Sequence, residues 1–271
     1  MNVDVVDLRN FYAQPLGVMT RRLLVRAIRA RFDDVTGLAV MGLGYAIPYL
    51  GVFREEAERC IALMPAAQGV VRWPSSGPAL AALADEAMLP LPTASMDRVV
   101  AVHALEMTAS PAEMLREVWR VLAPGGRLLA VVPNRRGVWA RLDTTPFGNG
   151  RPFSRGQVVG LLREALFTPV GWGEALYAPP SHWFLRTAVA FERIGGRLSL
   201  PFSGVLVVEA TKQLHRPVMV RRPRLAPVLE PAMEPALGLR SHRLGAFSSE
   251  AGTGSREANG SAQTQGISPI P

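Results

Sequence analysis

Cysteine and lysine are nearly missing from this sequence, with Cys60 and Lys212 the single copies of each. One cysteine excludes a disulfide framework and a cysteine-built zinc site, and it fits a reducing compartment. No metal site is expected. The net charge of +8 is therefore carried by arginine. The arginines are scattered through helical segments without interleaved aromatics, so no specific nucleic-acid surface is expected. Long apolar runs are lacking as well. The longest uncharged one, residues 38–53, is shorter than the roughly 20 residues of a bilayer span and is broken by glycines and Pro48. No membrane span is expected. The opening MNVDVVDLRNFYAQ lacks a basic stretch followed by an apolar one. No secretory leader is expected, and the location is expected to be cytoplasmic.

What is present suffices for a packed core: 48% of residues are hydrophobic, too many for a disordered chain. Composition changes after Lys212. Residues 216–271 are rich in proline, then in glycine, serine and alanine, without apolar periodicity. They are expected to form a disordered basic tail behind a domain spanning 1–215. Within that domain, residues 17–32 place Leu23, Leu24, Ala27 and Ile28 on one helical face. The runs 38–42, 60–64, 70–73, 98–103, 127–133 and 204–210 are short and apolar, and most read as buried strands. Residues 46–60, 77–84 and 153–167 read as helices. Ser110, Pro111 and Glu113 have the spacing of a capping box opening a helix, which Pro124-Gly125-Gly126 ends in a turn. Alternating strands and helices predict a doubly wound, mostly parallel α/β sheet with helices on both faces. The loop after 38–42, the end of 98–103 and Pro133-Asn134 should then meet in one crevice at the carboxyl ends of the strands.

The order and spacing of several segments carry a resemblance: DEAMLPL (85–91), Asp97 opening the strand to His103, Leu105-Glu106, Arg120-Val121-Leu122 and Pro124-Gly125-Gly126. Together with GVLVVEATK (204–212) they resemble the type 11 family of class I S-adenosylmethionine-dependent methyltransferases, over roughly 20–213. The resemblance implies a Rossmann-like class I methyltransferase fold and S-adenosylmethionine as cofactor. Gly42, Gly44, Tyr45, Asp85, Glu86 and His103 are the implied donor-side residues. Asp85 corresponds to the family's adenine-side acid, with Glu86 the alternative, and a solvated loop acid is the reading without the resemblance. Asp97 is assigned a structural turn.

His103 and Glu106 are candidates for acid–base help, since a neutral imidazole takes protons near neutrality. A lone histidine ending a buried strand is also commonly structural. Asn134, Arg135 and Trp139 are the substrate-side candidates, with Arg136 beside them. The turn-rich loop 144–153, with two phenylalanines and Arg151, and SHWF (181–184) are placed as covers over a small or lipid-like acceptor. The sequence departs from the family pattern where an acid and a third glycine would stand, at Val40 and Ala46. It also has no acid in 60–69, where Gln68 is the nearest polar replacement. Two readings follow, an active methyltransferase with a diverged donor site or a methyltransferase-like binding and scaffolding protein. A nicotinamide dehydrogenase is disfavoured by Ile47 where its glycine fingerprint needs glycine. Nothing in the sequence speaks to oligomeric state.

Overall fold

Apolar, β-branched runs become the strands of one seven-stranded sheet in this computed structural model, which describes residues 3–185, 187–198 and 202–214. In chain order the strands are β1 (Ala39–Gly44), β2 (Arg59–Pro65), β3 (Ala81–Ala84), β4 (Met96–Val102), β5 (Leu122–Pro133), β6 (Phe167–Ala175) and β7 (Val205–Lys212). Their spatial order is β3-β2-β1-β4-β5-β7-β6. The first five are parallel neighbours, while β7 pairs antiparallel with both β5 and β6. The described residues all fall in the first of two units of the chain, Met1–Met219. The expected boundary at 215/216 and the tail 216–271 lie outside them.

The helices are α1 (Val5–Ala13), α2 (Pro15–Arg29), α3 (Ile47–Leu50), α4 (Pro111–Val121), α5 (Arg155–Glu164) and α6 (Ala188–Leu198). Alternation along each strand separates two cores. Val40, Ala62, Met64, Val100, Val102, Leu129, Val131 and Val207 pack with α1, α2 and α3. Met41, Leu43, Leu63, Val99, Ala101, Leu128, Ala130 and Val208 pack with α4 and α5. Successive strand residues point to opposite faces, so a sheet covered on both sides reads as a continuous apolar run. Asp97 Oδ2 accepts from the Ala39 N–H at 2.9 Å and so ties the start of β1 to β4.

Local expectations are corrected in four places. The helix read over 46–60 lasts only from Ile47 to Leu50. Gly51 follows it, and Glu56 is drawn away into a two-bonded pair with Arg29 of α2 at 2.8 and 2.9 Å. The alanine-rich 77–84 yields β3, because parallel pairing of 81–84 with 62–65 outweighs alanine's helical preference. Ser110 makes no side-chain cap bond, whereas Ser154 and Gln157 form a full capping box at α5. Pro124-Gly125-Gly126 lies inside β5, at an irregularity where the partner register steps from Leu122 to Arg127. Gly125, with φ +75°, supplies the left-handed backbone there.

Candidate active site

Chain crossovers leave β1 and β4 in opposite directions, which makes the space outside their carboxyl ends the expected ligand crevice. The glycines there are required by the protein's own packing. A Cβ on Gly42 would stand 2.5 Å from Leu50 Cδ1 and 2.9 Å from Ala46 Cβ. Gly44, at φ +76°, would place one against the Val102 carbonyl oxygen and 2.8 Å from Ala104 Cβ. Gly44 thus lets the β1 loop lie directly against the end of β4.

An aromatic and polar cluster fills this space. Tyr45, 3% exposed, stacks on Tyr12 with ring centres 5.6 Å apart and planes 18° apart. Tyr12 comes from α1 and shares a 2.6 Å hydrogen bond with the Tyr49 hydroxyl and a 2.8 Å one with His103 Nε2. Burial, with Tyr49 beside it, holds the Tyr12 phenol well above its ordinary pKa, so it is neutral. Phe147 lies 4.5 Å from the His103 ring, centre to centre, and Trp139 packs edge-on against Phe147.

His103 is 0% exposed and Glu106 2% exposed. His103 Nδ1 and Glu106 Oε1 are 3.3 Å apart, within ion-pair reach but not aligned as a hydrogen bond. Both Glu106 carboxylate oxygens lack a hydrogen-bond partner among the described residues. A carboxylate left so is costly unless a positive charge faces it. His103 also adopts φ +50°, the left-handed region, which for a non-glycine residue costs of order 1–3 kcal/mol and is concentrated at functional sites. Gln68, buried just past β2, donates its amide to the His103 carbonyl and leaves Oε1 without a partner.

The remaining candidates are spread along the same edge of the sheet. Asp85 is exposed at the end of β3, its Oδ1 accepting from the Ala87 N–H at 2.8 Å. Glu86 is half-buried and accepts from Thr108 Oγ1 at 3.1 Å. Asn134 is buried, with its amide on Ser203 Oγ at 3.0 Å and its carbonyl accepting from the Arg136 N–H at 3.1 Å. Arg135, Arg136 and Arg151 are exposed, and the Trp139 indole donates to the Ala178 carbonyl at 2.8 Å. In the loop 144–153, Phe147 and Phe153 are core residues, and the Arg151 N–H fastens the loop to the Glu106 carbonyl at 2.8 Å. Trp183, in the second expected cover, is 91% exposed.

Sequence reasoning missed Tyr12, the residue that ties the cluster together, and with it α1. The signal was present in Asp4 followed by Val5, Leu8, Phe11 and Tyr12. Asp4 caps the helix by accepting from the Val6 and Asp7 N–H groups, and the other four face the core. Between α1 and the 143–149 loop lies an open cleft of about 430 Å³, lined by Asp7, Phe11, Gln14, Thr145, Pro146 and Asn149 among others.

This strand order, with its antiparallel seventh strand and a glycine-tight crevice between β1 and β4, is that of a class I methyltransferase. The model of the methyltransferase-domain family matches residues 41–130. The chain is 28% identical over 179 residues to the demethylmenaquinone methyltransferase of Thermus thermophilus, a match covering 65% of this chain and 72% of the relative. Among solved structures, an S-adenosylmethionine-dependent methyltransferase of Mesorhizobium loti superposes with a TM-score of 0.52 at 18% identity, covering 69% of this chain and 96% of that one. A second, from Thermotoga maritima, gives 0.53 at 15% identity over 77% and 96%. Residues 41–130 thus match a methyltransferase-domain model, and the chain is similar in sequence and fold to S-adenosylmethionine-dependent methyltransferases.

Proposed function

We propose that the chain transfers the donor methyl group to a hydroxylated, lipid-like aromatic ring, and that its donor site departs from the common pattern at Gln68. The observation that supports the acceptor class is the crevice itself. Its lining is aromatic (Tyr45 and Phe147, with the Tyr12 ring seated between Tyr45 and His103) around one buried imidazole, the surroundings in which a flat ring with a polar edge binds. The relative that acts on demethylmenaquinone supports the same class.

On the donor side, S-adenosylmethionine brings a sulfonium-activated methyl group together with ribose hydroxyls and an adenine amine that need acceptors. Gln68 Oε1, buried and unpartnered past β2, is a ready acceptor for a ribose hydroxyl, and Asp85 and Glu86 past β3 offer carboxylates to the adenine side. The donor chemistry of these side chains fits the cofactor. Exchanging a carboxylate for an amide at the ribose gives up one charge-assisted hydrogen bond. That is about 1.5–3 kcal/mol, or roughly tenfold to a hundredfold in affinity.

Calorimetric titration with S-adenosylhomocysteine, joined to transfer of radiolabelled methyl to a reduced prenyl-naphthoquinone, tests the reading. Binding in the micromolar range and label in the organic phase are expected. No heat at millimolar ligand would overturn the enzyme reading in favour of a binding or scaffolding module.

A further inference from the structure

We infer that the His103–Glu106 pair is the base for the acceptor's hydroxyl, and that Tyr12 holds with its own phenol the place this hydroxyl takes. The inference rests on the hydroxylated-ring reading above and adds the residues that act on the ring. Tyr12 already behaves as an acceptor ring. It is stacked on Tyr45, lies at 62° to the His103 imidazole, and its hydroxyl is 2.8 Å from Nε2. Behind the imidazole, on the Nδ1 side, stands a carboxylate that nothing else in the cluster satisfies. A base backed by a buried acid is the arrangement that removes a proton and stabilises the resulting imidazolium.

No solvent-sized space touches His103, which is fully buried, so an acceptor reaches Nε2 only when Tyr12 leaves. The short joint behind Tyr12 permits that departure. Tyr12 is next to last in α1, and α1 joins α2 through one extended residue, Gln14, with φ −79° and ψ 159°.

In the step itself, the acceptor's O–H bond breaks, its proton passes to His103 Nε2 and its electron pair stays on oxygen. The phenolate's pair, at oxygen or at the adjacent ring carbon, forms the bond to the methyl carbon, while the old carbon–sulfur pair remains on sulfur and leaves a neutral thioether. After attack at carbon, the ring proton moves to the oxygen and aromaticity returns. Charge balances because the sulfonium's positive charge reappears on the imidazolium beside Glu106.

A redox-stable phenol, 4-nitrophenol, tests this in the full chain, because its yellow phenolate band reports ionisation on binding. At about pH 6, Tyr12→Ala is expected to bind it at least about tenfold more tightly than the parent, since a site occupied by its own chain lowers apparent affinity by the open fraction. The bound dye should show the phenolate band. 4-Nitroanisole, which lacks the hydroxyl, should gain by a similar factor, because the open fraction is shared, but remain the weaker ligand of the two. Adding His103→Gln should remove the band. Glu106, a positioning residue, should weaken the band as Glu106→Gln without abolishing binding. No gain for either dye would overturn the placeholder role, and a band that survives His103→Gln would overturn the base. Should Tyr12→Ala not fold, Tyr12→Phe decides by itself. It keeps the ring and loses both hydroxyl hydrogen bonds, to Tyr49 and His103, so a gain of at least about fivefold for 4-nitrophenol is expected and no gain refutes the idea. Failure of the methyl-transfer reading shows separately, as absent heat with S-adenosylhomocysteine.

Discussion

Gly44 and Val102 lie in direct backbone contact across the mouth of the crevice, with Gly44 at φ +76° and its missing Cβ pointing at the Val102 carbonyl. Gly44→Ala must strain the backbone and separate two central strands at once, and it should cost about 3 kcal/mol. Urea unfolding with an unchanged slope checks this; a loss below about 1 kcal/mol would show that the contact yields easily. Any binding defect of such a variant reports on the sheet as much as on the cofactor.

Glu106 stands in the opposite relation to stability. Its carboxylate is buried without a hydrogen bond and 3.3 Å from His103 Nδ1, and exchanging such a buried pair as a whole for apolar side chains of similar volume is commonly neutral or stabilising by about 1–4 kcal/mol. The double variant His103→Leu with Glu106→Met is therefore expected to melt at or above the parent temperature while losing methyl transfer. A double variant that melts well below the parent would show that the pair serves the fold.

Cys60 gives the fold a dependence on alkaline pH. Burial pushes its thiol from the ordinary value near 9 up to about 11. The folded state thus holds a proton that the unfolded chain releases between those values. The associated stability is fully present below about pH 9 and is lost as pH rises towards 11, amounting to roughly 2–3 kcal/mol in all. The stability difference between the parent and Cys60→Ala, measured by urea unfolding at intervals from pH 8 to pH 11, should narrow across that window. A constant difference would contradict the shift.

Two serines that look alike in sequence should separate in a thermal melt. Ser154 completes a reciprocal pair with Gln157, accepting from its N–H at 3.3 Å, and Ser154→Ala should cost about 1 kcal/mol. Ser110 makes no such bond, and Ser110→Ala should fall within about 0.5 kcal/mol of the parent.

Much of the sheet was legible because strands buried on both faces are written as apolar runs: 39–44, 59–65, 96–102 and 205–212 all fall close to where such runs occur. β3 was not, since alanines carry no strand signal and only the neighbouring β2 makes 81–84 extended. β6 was hidden by Pro169, Gly171 and Gly173, which read as turns and are accommodated by a register shift beside β7. The candidate site divides in the same way. His103 and Glu106 could be picked out because they follow a buried strand at the switch point. Tyr12 is 91 positions from the histidine it touches, in a short helix with no motif, and only the folded chain joins them.

The single-residue joint at Gln14 has a kinetic meaning. If the ring site opens only when the first helix swings away, opening precedes capture, and the observed rate of ligand association must level off as ligand concentration rises. The plateau is the rate at which the chain releases its own tyrosine. Fusions or truncations ahead of residue 14 would change that rate before they changed any contact with the ligand.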